Sequence, residues 1–193
     1  MKNLFLVLLL VVATNCFAQK DLALTSLDTP VSYNGIVNVN GVTKEELFIR
    51  GRDWFSNNLH VLEIQDNQVG EISGKDIVEG KVTFRMLGSH NANATFNFNA
   101  NIWVKDGRYM YRITNINNTA ITYADATSTS RNDFSAPVGI LYTSDHSKAK
   151  VLGLSQTKSD ETYQSAKKDF DKIAKDLIAS LTSDMMKSST PDF

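Results

Sequence analysis

The stretch from Thr95 to Val104 admits few folds. Phe96, Phe98, Ala100, Ile102 and Val104 alternate with Asn97, Asn99, Asn101 and Trp103. Successive side chains of a strand point to opposite faces, so this alternation predicts a strand with one apolar face and one amide-rich face. Lys105-Asp106-Gly107-Arg108 follows, and Asp-Gly tolerates the positive φ of a tight hairpin turn. Tyr109, Tyr111 and Ile113 bring the chain back with the same period. A lone hairpin is marginal in water, so its apolar face needs further strands and a helix.

Those partners can be found in the pattern. Val31, Tyr33, Val37 and Val39 alternate as in a strand, with Gly35 on the same face, where another backbone or side chain can approach closely. Asn40-Gly41 ends it. A helix is expected from Thr43, with Glu46 three residues on completing a capping box. Leu47, Gly51, Trp54, Phe55 and Leu59 trace its apolar stripe. A glycine there costs about 1 kcal/mol against alanine, which a close crossing over the sheet explains. Trp54 and Phe55 read as core. Leu62 to Gln65 is a short strand ending at the turn Asp66-Asn67, Glu71 to Ile77 a weaker strand, and Lys81 to Met86 a strong one. Gly88 to Asn93 reads as a polar loop.

Asn117 to Thr157 reads as an irregular insertion, with a loop over Thr127 to Asp133 and short strands at Val138 to Tyr142 and Val151 to Leu154. The last element is a helix capped by Ser159, with Asp160 and Glu161 in its first turn. Tyr163, Ala166, Phe170, Ile173, Ala174, Leu177, Leu181 and Met185 form its apolar stripe, and Asp171 and Lys175 have the favourable i,i+4 order. Consecutive strands with short turns make an antiparallel meander. The expectation is an α+β fold, β-α-β-β-β-β-α, with both helices on one face of the sheet. The domain spans residues 31–187, including the insertion 117–157, after a lead over 19–30 and before a tail over 188–193.

The N-terminus fixes an expected compartment. Met1 and Lys2 precede an apolar run from Leu4 to Ala13, and Cys16-Phe17-Ala18 has the small-residue spacing of a signal-peptidase site. A span needs about 20 apolar residues, so residues 1–18 read as a signal peptide that sends the chain to the periplasm or outside the cell. Cleavage after Ala18 removes Cys16, the only cysteine, so stability rests on packing rather than on disulfides. The alternative is a lipoprotein anchored at Cys16, although Thr14 and Asn15 before it are not the small residues such a site wants. A formal charge of −1 on 193 residues lacks the basic surplus of a nucleic-acid binder. No later segment is apolar for long enough to form a transmembrane helix.

Three segments together resemble a known family. They are Val31-Ser32-Tyr33-Asn34-Gly35-Ile36-Val37; Gly41-Val42-Thr43-Lys44-Glu45-Glu46-Leu47, leading to Arg52-Asp53-Trp54-Phe55; and Asn101-Ile102-Trp103-Val104-Lys105-Asp106-Gly107-Arg108-Tyr109. Over Val31 to Asn117 the chain is similar to exported bacterial proteins of the Bacteroides group that carry a domain of unknown function with a TATA-binding-protein-like (TBP-like) fold. The resemblance implies that fold and an envelope or secreted location. It implies no activity, because fold alone does not determine function.

Motifs for chemistry are absent. His60, His90 and His146 lie far apart, and none pairs with another His, Asp or Glu at an i,i+3 or i,i+4 spacing that would place two ligands on one helix, so neither a metal nor a cofactor is expected. The Gly-x-Ser-x-Gly elbow, the phosphate-binding glycine loop and the dinucleotide fingerprint are missing. Asp66 and Asp106 sit in turns, where their type is favoured for backbone reasons. A non-catalytic binding or accessory domain is the expectation. Its candidate binding residues are those facing away from the core: Asn97, Asn99, Asn101 and Trp103. Arg112, Met110 and Thr114 face the same way across the hairpin, with Thr83 and Arg85 extending the patch. The partner would be an envelope protein or a glycan, met through this face or through the 117–157 segment. The alternative is a carrier holding a small apolar ligand among Trp54, Phe55, Phe84, Phe98, Tyr111, Phe170 and Leu177. An enzyme ranks third, and the sequence sets no oligomeric state. Mass measurement of the exported protein should show a chain beginning at Gln19, cyclised or not; a diacylglyceryl-modified chain beginning at Cys16 would establish the anchored form instead.

Overall fold

The structure is a computed structural model that describes residues 29–85, 89–123, 134–135, 137–144, 151 and 154–187. The expected signal peptide, the expected lead as far as Asp28, Thr127 to Asp133 and the expected tail lie outside those residues. Strands β1 (Tyr33–Asn38), β2 (Val61–Asp66), β3 (Glu71–Arg85), β4 (Ser89–Lys105), β5 (Arg108–Tyr123), β6 (Phe134–Ser135) and β7 (Gly139–Ile140) form one antiparallel sheet. Its order is β1-β5-β4-β3-β2, with β6 and β7 also paired to β5. Helix α1 (Lys44–Asn58) follows β1, and α2 (Gln156–Met185) closes the order. Both helices cover the apolar face, as the pattern requires.

The α1 start is the expected one. Thr43 Oγ1 accepts from Glu46 N at 3.3 Å, while the Glu46 carboxylate reaches forward to Arg50 Nη2. A second cap comes from far along the chain: Lys44 N donates to Asp106 Oδ1 at 2.8 Å. Asp106 therefore does more than form its hairpin, where Gly107 alone takes the positive φ, 72°. Leu47, Phe48, Gly51, Trp54 and Phe55 are buried. A Cβ on Gly51 would stand 2.8 Å from Ile72 Cδ1, the close crossing expected there, and one on Gly35 would meet the Tyr111 hydroxyl at 2.6 Å.

The strands are longer than the pattern suggested. Glu71 to Ile77 and Lys81 to Met86 are not two strands; β3 runs unbroken through Gly80 to Arg85, because side chains of α2 hold its backbone at that point. Gly88 to Asn93 is not a loop from Ser89 onward, since β4 begins there. Its inward residues are Ala92 and Ala94, buried opposite Val82 and Gly80 but too small to mark a strand by hydropathy. β5 continues to Tyr123, past the point where the insertion was placed. A bulge at Asn115, with φ 54°, turns Ile116 and Asn118 inward, and a second register shift opposite Thr95 and Phe96 turns Ile121 inward. Within the rest of that segment, Val138 to Tyr142 contributes only β7 and a bridge from Pro30 to Tyr142. Val151 and Leu154 form a turn, with Leu154 N donating to Val151 O, not a strand.

The α2 start also differs. Its N-cap is Ser155, whose Oγ accepts from Lys158 N. Ser159 lies buried inside the helix, donating to Ser155 O and accepting from Val151 N. Asp160 and Glu161 consequently fall beyond the first turn. The apolar stripe is as expected: Tyr163, Ala166, Phe170, Ala174, Leu181 and Met185 are buried, and Lys175 Nζ pairs with Asp171 Oδ2 at 2.5 Å. Phe170 is fully buried and its ring meets Phe96, Phe98 and Tyr33 at centroid distances of 5.4, 5.6 and 6.3 Å. Burial and the neighbouring Asp171 push the Tyr33 hydroxyl up to about 12. Phe170→Ala should cost about 3–5 kcal/mol by chemical denaturation, the range for a large ring removed from a packed core. Lys168→Ala, exposed on the opposite side, should change stability by under about 0.5 kcal/mol; equal losses would mean that the helix is rotated relative to this packing.

Candidate functional site on the open sheet face

With both helices on one face, the other is left to solvent, and the strand registers define what it presents. One row crosses the sheet as Ile36, Met110, Trp103 and Glu71. The next is Asn34, Arg112, Asn101, Ser73 and Ile64. Then come Thr114, Asn99, Lys75 and Val61, followed by Ile140, Asn117, Asn97 and Ile77. Of the large exposed apolar side chains, Ile36, Val61, Ile64, Ile77 and Ile140 all stand in these rows. The face is thus mixed: apolar spots separated by amides.

The expected residues Asn97, Asn99, Asn101, Trp103 and Arg112 come together here. Trp103 is half-buried and the Arg112 guanidinium carbon lies 5.8 Å from its ring centroid, a cation–π contact. Beside it a groove of about 210 Å³ is lined by Ile36, Trp103, Lys105, Arg108, Tyr109 and Met110. Among the described residues, the Asn99 and Asn101 side chains have no hydrogen-bond partner, and Asn97 Oδ1 is buried without one. Tyr109 turns its ring to the core, where its hydroxyl donates to Thr182 Oγ1 at 3.1 Å; burial, reinforced by Tyr111 and opposed by this bond, raises its pKa.

Arg85 does not join the others. It shares their side of the sheet, but lies fourteen residues along β3 from Glu71, the partner of Trp103, or about 45 Å at strand rise. There its Nε stands 3.6 Å from Glu161 Oε2 of α2. Thr83 is likewise drawn to α2, through its N–H to Ser165 Oγ at 2.8 Å. Reading β3 as two short strands concealed that separation.

The helix–sheet interior offers little room. The gap bounded by Trp54, Tyr111, Leu177 and Leu181 measures about 10 Å³, the size of a single water site. Trp54 Nε1 instead donates to Ser180 Oγ at 3.1 Å, tying α1 to α2. Sequence spacing missed one pair: His60 Nδ1 lies 2.7 Å from Asp76 Oδ1, with the carboxylate buried and the imidazole exposed. Sixteen residues separate them, so no short-range motif could have shown it. Among the described residues no three His, Cys, Asp or Glu side chains gather as metal ligands, and no helix is long and apolar enough to cross a membrane.

This sheet, helix-covered on one side, defines an α+β protein with a TBP-like fold. Residues 33–119 match the family described as a domain of unknown function (DUF4468) with TBP-like fold, so over this segment the chain is similar to that family. Among solved structures it is similar to a DUF4468 family protein from Bacteroides ovatus ATCC 8483, with a TM-score of 0.52 and 13% identity over 85% of this chain and 91% of that one. A TBP-like protein from Parabacteroides distasonis ATCC 8503 gives a TM-score of 0.46 and 12% identity over 79% and 93%. No curated protein matches the sequence.

The two tryptophans are distinguishable in solution. Trp54 is 3% exposed, whereas Trp103 is half-buried on the open face and flanked by cations. Iodide should therefore quench Trp103 emission more strongly than caesium does, since the local field attracts anions. Trp103→Phe should leave emission that neither ion quenches well; strong residual quenching would place Trp54 in solvent.

Proposed function

We propose that the protein is an exported, non-catalytic recognition domain that binds a partner in the cell envelope through its open sheet face. The observation that carries this reading is the row of amides without partners, Asn97, Asn99 and Asn101, running along β4 into Trp103 with Arg112 over its ring. A surface held rigid by a sheet, with unused hydrogen-bond capacity next to an aromatic–arginine pair, has the composition of an interface centre. Export is supported by the leader Met1 to Ala18. The carrier reading loses its support, because the helix–sheet gap holds about one water. The 117–157 segment is the weaker alternative surface, since its described strands β6 and β7 are spent on pairing with β5.

A photo-crosslinking residue at Asn99 tests this reading on the mature protein in envelope extract. Adducts should form there and disappear when Trp103→Ala is added, with the variant keeping its melting temperature. The aromatic truncation should weaken binding by about 2 kcal/mol or more. Identical adducts with and without Trp103 would reject this face as the recognition surface.

A further inference from the structure

We infer that the groove beside Trp103 takes an acidic sugar chain, with carboxylates held by Arg112 at one end and by Arg108 and Lys105 at the other; this rests on the reading that the open face is the recognition surface. Charge is the first argument. The chain as a whole carries a formal −1, yet Lys105, Arg108 and Arg112 all project from one patch, and among the described residues no acidic side chain pairs with any of them. The nearest acid in sequence, Asp106, has its Oδ1 turned to the α1 N-terminus at 2.8 Å from Lys44 N. Unneutralised arginines present forks that match a carboxylate, and the Trp103 contact holds one fork in place before a ligand arrives.

Shape and polarity select the rest of the ligand. The space of about 210 Å³ is smaller than a drug-sized pocket, so it admits a ring or two rather than a folded partner. Arg108 and Arg112 are four residues apart on β5, about 13 Å at strand rise, which suits repeated acidic groups better than one acid. Ile36, Met110 and the Trp103 ring offer an apolar surface for the C–H side of a ring. Asn101 and Asn99 continue the path, and each amide both donates and accepts, as hydroxyl groups require. An acidic peptide would find its natural main-chain partners at a strand edge, not on a sheet face.

Titration of the mature protein, followed by Trp103 emission and calorimetry, decides this with three probes. These are a galacturonate hexamer, the same hexamer with its carboxyls methyl-esterified, and a hexaglutamate peptide. The acidic sugar should bind, lose affinity at higher salt, and bind at least about tenfold better than the ester or the peptide. Arg112→Gln and Arg108→Gln should each weaken it by about tenfold, with melting temperatures unchanged. Equal binding of the ester would overturn the charge assignment, and equal binding of the peptide would overturn the sugar. No binding by any probe would overturn the inference, while the Asn99 adducts separately decide whether the face recognises anything.

Discussion

The long helix is fixed by an unsatisfied strand edge. β2 pairs with β3 only from Glu71 to Lys75, so among the described residues the far half of β3 has no strand on that side. Unpaired backbone donors are costly when shielded from water and invite foreign strands when left open. α2 meets them with a stripe of polar residues at helical spacing. Asp169 Oδ2 accepts from Lys81 N at 2.7 Å, Ser165 Oγ accepts from Thr83 N at 2.8 Å, and Glu161 approaches Arg85. Gly80 is needed beside this clamp, since a Cβ there would stand 2.0 Å from the Asp169 carboxylate. At the next position along α2, Phe170 enters the cluster of Phe96 and Phe98. Polar clamp and aromatic anchor are neighbours on one helix, so the edge and the core fix the same orientation of α2.

That orientation decides which surface remains for function. α1 is tied to α2 by Trp54 with Ser180 and by Arg50 Nη1 on Met185 O at 2.7 Å, so both helices stay on the apolar face. The other face has no covering element among the described residues. A wet antiparallel face ordinarily carries scattered charges and threonines. Here, among the described residues, it carries amides without partners, a tryptophan, and Lys105, Arg108 and Arg112 without ion pairs, and this composition is what the proposed recognition role explains.

Much of the fold was legible because it is carried by large side chains at regular spacing. The stripe of α2 from Tyr163 to Met185, the alternation from Phe96 to Val104 and the Thr43 cap all appear where expected. Where small or polar residues face the core, the signal failed. Ala92 and Ala94 hid the start of β4; the bulge at Asn115 hid the end of β5. Ser159 resembled a cap because nothing local revealed its burial, and the true cap lies four residues earlier at Ser155. The site was legible in the same proportion. Asn97 to Trp103 and Arg112 follow from strand parity and one hairpin, whereas placing Arg85 needed the true length of β3. The His60–Asp76 pair and the Asp106 cap are long-range contacts with no periodic trace.

The Asp106 cap has a consequence for the groove. Lys105 and Arg108 flank a two-residue turn, and a free turn would leave both cations mobile. This one is held at three points: Val39 N donates to Gly107 O at 2.8 Å, Gly107 N to Val42 O at 2.9 Å, and Lys44 N to Asp106 Oδ1 at 2.8 Å. The anchoring segments are the end of β1 and the first turn of α1, both seated on the core through Val39 and Leu47. Ordering a binding residue in advance lowers the entropy that its ligand must overcome. The helix cap and the cationic end of the groove therefore form one structural unit, with Asp106 hydrogen-bonded to the helix terminus and its neighbours left free to meet an anion.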